Sequence, residues 1–201
     1  MSLQFDNGKI VSKCSVCGAV KSTTAVPSVK TVTISATNYN YDGKVKTPTV
    51  TVKDSKGKAL RKGTDYDVTY SSDRKSVGKY SVKVTLKGNY SGTKTLYFNI
   101  NPKGTTIAKI TPKSKSLTVQ WNKQTSQTTG YQIQYSTSSK FTNAKTVTVG
   151  KNSTTSKTIS KLTAKKKYYV RVRTYKTVKI NGKATNIYSS WSKAKYVTTK
   201  K

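Results

Sequence analysis

The stretch KLTAKKKYYVRVRT, residues 161–174, decides the fold of the second half of the chain. From Tyr168 to Val172 every second residue is apolar, and the residues between them are Tyr or Arg. A period of two is the pattern of a β-strand that shows one face to a core and the other to water. The stretch therefore predicts a half-buried strand on which Arg171 and Arg173 point outward.

A basic run comes just before this strand. Lys165, Lys166 and Lys167 are consecutive and fall in a predicted turn. Such a run is either a solvated loop or a patch that binds phosphate groups. Because no acidic residue in this half of the chain competes for the lysines, we expect them, together with Arg171 and Arg173, to contact polyanions.

The same alternation recurs along the whole chain. Sets of apolar residues spaced by two share one strand face in each segment, namely Val50 and Val52; Tyr66, Val68 and Tyr70; Tyr80, Val82, Val84 and Leu86; Leu96, Phe98 and Ile100; Leu117, Val119 and Trp121; and Tyr131, Ile133 and Tyr135. No segment has the apolar spacing of an amphipathic helix. The sequence thus predicts an all-β protein.

Charge is the most unusual property of the composition. The 201 residues include 39 Lys or Arg, 6 acidic residues and no His, for a net charge of +33. Residues 102–201 carry 22 of the basic residues and none of the acidic ones. Lysines that protect sheet edges explain scattered charge but not a hundred residues without an acid. Such a surface attracts polyanions.

The chain divides into three parts. Residues 1–27 form a lead-in that ends at a proline, residues 28–101 a first module, and residues 102–201 a second module that begins with the linker Pro-Lys-Gly. Short strands with turn signals every ~8–12 residues favour sandwiches over alternating strands and helices. We expect two β-sandwich modules in tandem.

The second module resembles a fibronectin type III domain. The resemblance rests on Trp121 closing an early strand, on the sequence 130–135, on Leu162 six residues before Tyr168, and on Trp191 near the end. It covers essentially all of the module, although Lys195 stands where the family usually has an apolar residue. The resemblance implies a tyrosine corner, in which the Tyr168 hydroxyl bonds to backbone near Leu162.

The segment Tyr188-Ser189-Ser190-Trp191-Ser192 resembles the WSXWS box of cytokine-receptor fibronectin domains, with Tyr for the first Trp. That resemblance implies that Trp191 stacks between Arg171 and Arg173 in a cation–π ladder. The implied role is structural, and a Trp191 that stacks on sugar is the alternative.

The first module resembles the immunoglobulin-like repeats of Gram-positive surface proteins. The matching stretches are YDGK at 41–44, VTVKD at 50–54, GTDYDV at 63–68, VGKY at 77–80, KGNYSGT at 87–93 and FNINP at 98–102. This family implies secreted spacer or adhesion modules joined to varied partner domains. It implies no single activity.

The lead-in holds the sharpest local motif, Cys14-Ser15-Val16-Cys17-Gly18. Two Cys at this spacing present both thiolates to one Zn²⁺, and a structural zinc site needs four ligands. The sequence has no other Cys and no His, so Cys14 and Cys17 resemble half of a zinc-ribbon-like unit. We expect no bound cofactor, with zinc held only if a missing partner segment completes the site. Free thiols and a local disulfide are the other interpretations.

No catalytic centre is visible, and we expect no enzymatic activity. Without His, neither Ser-His-Asp nor Cys-His arrangements exist, and without Glu any paired carboxylates would be Asp. Asp65 and Asp67 are two apart, which predicts a shared strand side that is either a cation or substrate site or a solvated face.

Three functions compete. The leading one is a non-catalytic spacer or adhesion module of a larger secreted Gram-positive protein, located at the cell wall or cell surface and in contact with anionic wall polymers. The second is a carbohydrate-binding accessory module of a secreted glycan hydrolase, with Tyr39, Tyr41, Tyr90 and Trp191 as candidate platforms. The third is a nucleic-acid binder, for which no recognition motif is present. Other domains of the parent protein are expected partners, and membrane insertion is not expected.

Overall fold

A computed structural model describes residues 2–6, 9–25 and 28–201. All regular elements within these ranges are β-strands, and they pack as two β-sandwich modules in tandem. The all-β fold class predicted from the alternation is therefore confirmed. The chain forms two compact units, a first one (Met1–Asn38, Lys46–Arg74 and Lys79–Asn99) and a second one (Tyr39–Val45, Lys75–Gly78 and Ile100–Lys201).

The lead-in folds as a three-stranded antiparallel sheet, for which the sequence analysis predicted no strands. Its strands are β1 (Ser2–Asp6), β2 (Lys9–Lys13) and β3 (Val20–Ala25), in the order β1-β2-β3. β2 and β3 contain β-branched residues, which suit extended backbone. The turn between β2 and β3 carries both cysteines.

Residues 29–101 form two further sheets, which lie mostly in the first unit. β4 (Val29–Ile34) pairs with β6 (Val50–Asp54) alone, which leaves one edge of β4 without a strand partner in the described sheets. The other sheet has the order β5-β9-β8-β7, with the strands β5 (Asn38–Asn40), β7 (Tyr66–Tyr70), β8 (Gly78–Leu86) and β9 (Thr93–Asn101). The buried residues include those predicted for this core, Val82, Val84, Phe98 and Ile100.

The second unit contains eight of the strands named here. They are β10 (Ile107–Lys113), β11 (Ser116–Trp121), β12 (Gly130–Ser136), β13 (Lys145–Val149), β14 (Ser156–Ile159), β15 (Lys167–Ile180), β16 (Lys183–Tyr188) and β17 (Lys195–Thr198). One sheet has the order β10-β11-β14. The other has the order β13-β12-β15-β16, with β17 also paired to β15. The longest strand, β15, thus lies at the centre of the larger sheet.

Alternation along β15 separates the core from the outer face. Tyr168, Val170 and Val172 point inward and are at most 7% exposed. They pack with Ile133 of the neighbouring strand β12 and with Trp121 of β11 in the other sheet. Arg171 lies between Val170 and Val172 and Arg173 directly follows Val172, and both arginines are only half-buried. The same alternation that builds the core therefore places both arginines on the opposite surface of the sheet.

The shared strand side predicted for Asp65 and Asp67 is wrong. β7 begins at Tyr66, so Asp65 lies in the preceding turn, where its carboxylate accepts a hydrogen bond from the Arg61 N–H at 2.8 Å. Asp67 pairs instead with Lys87, at 2.8 Å. The two carboxylates have separate partners because Asp65 closes the turn, which periodicity alone does not show.

The described residues contain no helix that is both long and apolar enough to cross a membrane.

Candidate functional site

Two hydrogen-bonded rows cross the outer face of the larger sheet in the second unit. Strand register places Gln132 opposite Arg173 and Gln134 opposite Arg171. The side-chain oxygen Oε1 of Gln132 accepts hydrogen bonds from Nε and Nη2 of Arg173, at 3.0 and 2.7 Å. Oε1 of Gln134 accepts a hydrogen bond from Nε of Arg171, at 2.7 Å. Each glutamine therefore fixes the direction of one guanidinium.

The glutamines are themselves oriented by threonines on β13. The side-chain amide of Gln132 donates to the Thr148 hydroxyl at 3.3 Å, and that of Gln134 donates to the Thr146 hydroxyl at 3.4 Å. Because the side-chain nitrogen of each glutamine points to a threonine, its side-chain oxygen points to the arginine on the other side. The rows thus run Thr, Gln, Arg across three neighbouring strands.

Five side chains form an alternating stack of aromatic rings and guanidinium groups. Arg171 lies between the rings of Phe141 and Trp191, at 4.1 and 4.9 Å from their centroids. Arg173 lies between Trp191 and Tyr188, at 4.3 and 3.8 Å. Each such contact contributes about 0.5–2 kcal/mol, depending on how dry the site is. The ladder that the WSXWS-like segment implied is present in this geometry, and Phe141 extends it at one end.

Phe141 holds a strained backbone conformation in the loop between β12 and β13. Its φ of +57° is in the left-handed region, which aromatic residues rarely occupy. The Phe141 N–H donates to the Ser138 carbonyl at 3.0 Å, which closes the turn. The turn brings the Phe141 ring onto Arg171, so the strained residue is one end of the stack.

Both arginines carry charge in a partly dry environment. Desolvation by burial lowers the pKa of Arg171 and that of Arg173. The Tyr188 side chain acts in the opposite direction on the pKa of Arg173, and the neighbouring charge of Arg171 lowers it further. Both groups remain protonated at neutral pH, because an arginine side chain ordinarily loses its proton only in strongly alkaline solution. Two like charges thus lie side by side with part of their hydration removed.

A second cation–aromatic group lies at the start of β15 on the same face. Tyr169 and Tyr196 are directly opposite on β15 and β17, with ring centroids 5.7 Å apart. The Lys167 ammonium lies 3.8 Å from the Tyr196 centroid and 5.2 Å from that of Tyr169. The Tyr196 side chain is 63% exposed. Lys167 is therefore held by two rings at an open position on the surface.

The other two lysines of the predicted basic run are placed differently. Lys165 has a φ of +53° in the turn before β15, and the Lys166 N–H donates to the Thr199 hydroxyl at 3.1 Å. Both side chains are exposed, and no aromatic ring contacts them within the described ranges. Of the predicted polyanion-binding residues, the fold thus aligns Lys167, Arg171 and Arg173 on one strand and leaves Lys165 and Lys166 on a turn.

Three of the residues given structural roles, Trp121, Leu162 and Tyr168, lie in or beside the core of the second unit. Trp121 is 3% exposed, with its ring centroid 5.2 Å from that of Tyr131. Leu162 is buried, and its N–H donates to the Lys115 carbonyl at 2.9 Å. The Tyr168 hydroxyl accepts a hydrogen bond from the Thr163 N–H at 3.1 Å. Tyr168 therefore ties the loop that follows Leu162 to the core.

Cys14 and Cys17 share the turn between β2 and β3 as free thiols. The Gly18 N–H donates to the Cys14 carbonyl at 3.0 Å, and Gly18 has a φ of +68°. Hydrogen bonds from the Cys17 N–H, the Val16 N–H and the Cys17 side chain lower the pKa of Cys14. The described residues hold no group of three or more His, Cys, Asp or Glu placed to bind a metal. The turn offers two sulfur ligands that could form half of a site.

The first unit has a groove of about 760 Å³ beside the free edge of β4. It is lined by residues 28–33, Leu86 and residues 89–94. Tyr90, one of the predicted sugar platforms, belongs to this lining, together with hydroxyl and amide side chains such as Thr31 and Asn89. The groove combines an aromatic ring with polar groups, as small-molecule sites do.

Sequence reasoning missed five side chains of the outer face: Gln132, Gln134, Phe141, Tyr169 and Tyr196. The two glutamines alternate with Tyr131, Ile133 and Tyr135 and so face outward by the same rule that placed the arginines. The strand register needed to pair each with an arginine is not in the alternation. Phe141 had no signal, because its position depends on an unusual loop conformation.

Part of the chain matches a known protein family. The family model "Fibronectin type III domain" matches residues 101–193. No curated protein sequence matches the chain.

Three similar solved structures include two chicken proteins. The FN1–FN3 domains of chicken CNTN1 are 17% identical, with 96% of this chain and 77% of that chain covered and a TM-score of 0.42. A two-domain fibronectin type III segment of chicken tenascin is 18% identical, with 85% and 99% covered and a TM-score of 0.45. The beta-1,2-glucanase of Parabacteroides distasonis is 16% identical, with 61% and 18% covered and a TM-score of 0.38.

Proposed function

We propose that this chain is a non-catalytic spacer or adhesion segment of a larger secreted protein of a Gram-positive bacterium, and that its second unit holds the protein against anionic polymers of the cell wall. The match of residues 101–193 to the fibronectin type III family supports an extracellular module. The immunoglobulin-like resemblance of residues 28–101 supports the bacterial surface context.

The observation that carries the proposal is charge without counter-charge. The second module has 22 basic residues and no acidic residue between positions 102 and 201. Its outer sheet face adds two half-buried guanidinium groups and a ring-held ammonium. A field of one sign over such a surface attracts any polyanion and acts over about a Debye length, ~8 Å at physiological salt.

The residues available for chemistry support a binding role over a catalytic one. The sequence contains neither His nor Glu. Asp65 and Asp67, the closest acidic pair in sequence, are engaged with a backbone amide and with Lys87 respectively. A general acid–base pair would therefore lack histidine, the residue that most often fills this role at neutral pH, and would have to use Asp, Tyr, Lys or Cys.

The test is a titration of the intact chain with teichoic acid and with a neutral glycan at several salt concentrations. We expect teichoic acid to bind and its affinity to fall steeply as salt rises, because each ion contact releases counterions from a highly charged polymer. Preferential binding of the neutral glycan at all salt concentrations would contradict the proposal.

The groove beside β4 favours a second candidate, a carbohydrate-binding accessory module of a secreted glycan hydrolase. Tyr90 and the surrounding hydroxyl and amide groups provide a ring and hydrogen-bonding partners for a sugar. Under this function a neutral oligosaccharide binds at high salt, and Tyr90→Ala abolishes the binding while Tyr97→Ala, an exposed ring outside the groove, leaves it unchanged. Loss of binding in both variants, or in neither, would argue against the groove.

A further inference from the structure

We propose that Lys167, Arg171 and Arg173 form a single contact strip, the β15 strip, that binds phosphate or carboxylate groups spaced along a linear polyanion. The inference rests on the proposed function and names the residues and the ligand chemistry within it. All three side chains project from the outer face of β15. At about 3.3 Å per residue, the strip is about 20 Å long, enough to meet several anionic groups of an extended chain.

The first argument is the missing counter-ion. Half-buried charges in proteins are normally paired with an opposite charge, because desolvation penalises an isolated one. Arg171 and Arg173 are partly desolvated and repel one another. The second module has no acidic residue to pair with them, and in the described residues no carboxylate contacts any member of the strip. An anion from another molecule supplies the charge that residues 102–201 lack.

The second argument is that the strip is preorganised. Rings cover Arg171 and Arg173 on both faces, and two rings hold Lys167. A long cationic side chain otherwise loses rotamer freedom when it binds, so a side chain that is already fixed binds with a smaller entropic penalty. Lys165 and Lys166 on the preceding turn have the same charge without this support.

The third argument concerns the donors that remain available. Gln134 takes only Nε of Arg171, so both terminal amino groups of that guanidinium remain for a phosphate or carboxylate. Gln132 takes Nε and Nη2 of Arg173, so Nη1 remains. A pair of parallel N–H donors is the geometry with which Arg binds such oxyanions.

The same geometry disfavours recognition of nucleic-acid bases. Proteins bind single strands by stacking bases on open aromatic faces. Here both faces of Trp191 are covered by guanidinium groups, and Lys167 lies over the Tyr196 ring. The strip is therefore suited to the charged groups of a polymer and not to its rings.

The experiment compares two double variants with the same loss of charge. Arg171→Gln/Arg173→Gln removes the centre of the strip. The control, Lys109→Gln/Lys157→Gln, removes two exposed lysines from β10 and β14 in the other sheet. The intact chain and both variants are titrated with inorganic polyphosphate and with polygalacturonate over a salt series. Fully methyl-esterified polygalacturonate is the neutral form of the second polymer, and oligodeoxythymidylate of equal charge tests for bases.

We expect the arginine variant to lose about tenfold in affinity for both anionic polymers, with the slope of log K against log salt reduced by about two. The control is expected to change affinity less than about twofold, since its lysines contribute only to the long-range field. Circular dichroism establishes that each variant is folded. Should the arginine variant fail to fold, Lys167→Gln is compared with Lys157→Gln, with an expected slope change of about one for the first alone.

Equal losses in the two double variants would overturn the β15 strip while the proposed function stands, because the wild-type chain would still bind anionic polymers. Markedly tighter binding of the oligonucleotide than of polyphosphate would also overturn it, since bases would then contribute. A wild-type chain that binds neither anionic polymer would overturn both the strip and the proposed function.

Discussion

Tyr168 joins the loop after β14 to the core of the second unit through one hydroxyl group. Its ring is buried in the sandwich, and its oxygen accepts the Thr163 N–H at 3.1 Å. The bond is partly buried, and such a hydrogen bond contributes about 0.5–1.5 kcal/mol net, and more where water only incompletely replaces the lost partner.

Tyr168→Phe is therefore expected to lower the free energy of unfolding of the second unit by about 1–2 kcal/mol, with the fold retained. Denaturant unfolding measures it. Tyr169→Phe is the matched control, since that ring lies on the outer face and its hydroxyl has no partner among the described residues. Similar midpoints for the wild type and Tyr168→Phe would exclude a stabilising role of the hydroxyl.

Cys14 lies in a turn that favours its thiolate. Hydrogen bonds from the Cys17 N–H, the Val16 N–H and the Cys17 side chain stabilise the negative sulfur, so the pKa of Cys14 is lowered. A lowered pKa means that the reactive thiolate is populated at lower pH than in an ordinary cysteine.

The variant Cys17→Ala has Cys14 as its sole thiol. As the pH is raised, we expect its alkylation by iodoacetamide to accelerate at a lower pH than the alkylation of N-acetylcysteine does. The two backbone donors remain in this variant, so the direction of the shift is retained. Stopped alkylation followed by mass spectrometry gives the pH profile. A profile that coincides with that of N-acetylcysteine would show that the turn does not stabilise the thiolate.

For single residues, the sequence predicted roles in the fold better than it predicted hydrogen-bond partners on other strands. The positions of Tyr168 and Leu162 followed from a spacing motif, and the pairing of Trp191 with two arginines from a resemblance. Gln132 and Gln134 were not predicted as partners of the arginines, because a hydrogen bond between strands depends on register, and register is set by the whole sheet.

Among the elements, β13 and β15 both pack tightly against β12 at Gly130. This residue lies opposite Tyr175, and a Cβ atom there would be 2.1 Å from the Val149 carbonyl oxygen and 3.0 Å from the Tyr175 ring. Carbonyl oxygens of a paired strand do not move aside without breaking the ladder. The close packing of three strands therefore requires glycine at this position.

Gly130→Ala is expected to destabilise the second unit by about 3 kcal/mol, near the upper end for overpacking. Gly150→Ala is the matched control, because a Cβ there meets nothing closer than the Tyr175 hydroxyl at 4.0 Å. Thermal unfolding of the two variants measures the difference. Equal melting temperatures would mean that β12 and β13 adapt to a methyl group.

Strands with alternating apolar residues were the elements that sequence predicted well. β11, β12 and β15 each bury the face that period two assigned to the core. The sheet of the lead-in was not predicted, since Ile10 and Val11 are adjacent and residues 20–25 contain Val20 as their one large apolar residue, so β2 and β3 show no apolar period of two. The turn that holds Asp65 was missed for a related reason: a strand pattern gives the face of a residue but not where pairing starts.

At the scale of the whole molecule, the chain is two compact units with separate cores. Every residue of the larger buried cluster belongs to the second unit, and every residue of the smaller one belongs to the first unit. A domain of about 100 residues buries enough surface to fold without disulfides.

Residues 103–201 expressed alone are therefore expected to unfold in one cooperative transition. Differential scanning calorimetry is the measurement, with agreement between calorimetric and van't Hoff enthalpies as the criterion. A broad transition without a cooperative peak would show that this unit depends on the rest of the chain.

The absence of acidic residues from the second module has a consequence for acid tolerance. Residues 102–201 contain no His, Asp, Glu or Cys, so no side chain of this module has an ordinary pKa between about 4 and 9. Its protonation state is then the same folded and unfolded across that interval, and linkage makes its stability nearly independent of pH there. We expect the melting temperature of residues 103–201 to be flat between pH 5 and pH 8. Under the proposed function, any change in polymer binding by this module between pH 5 and pH 8 would then arise in the titrating groups of the polymer, so the polymer, and not this module, would sense the pH of its surroundings.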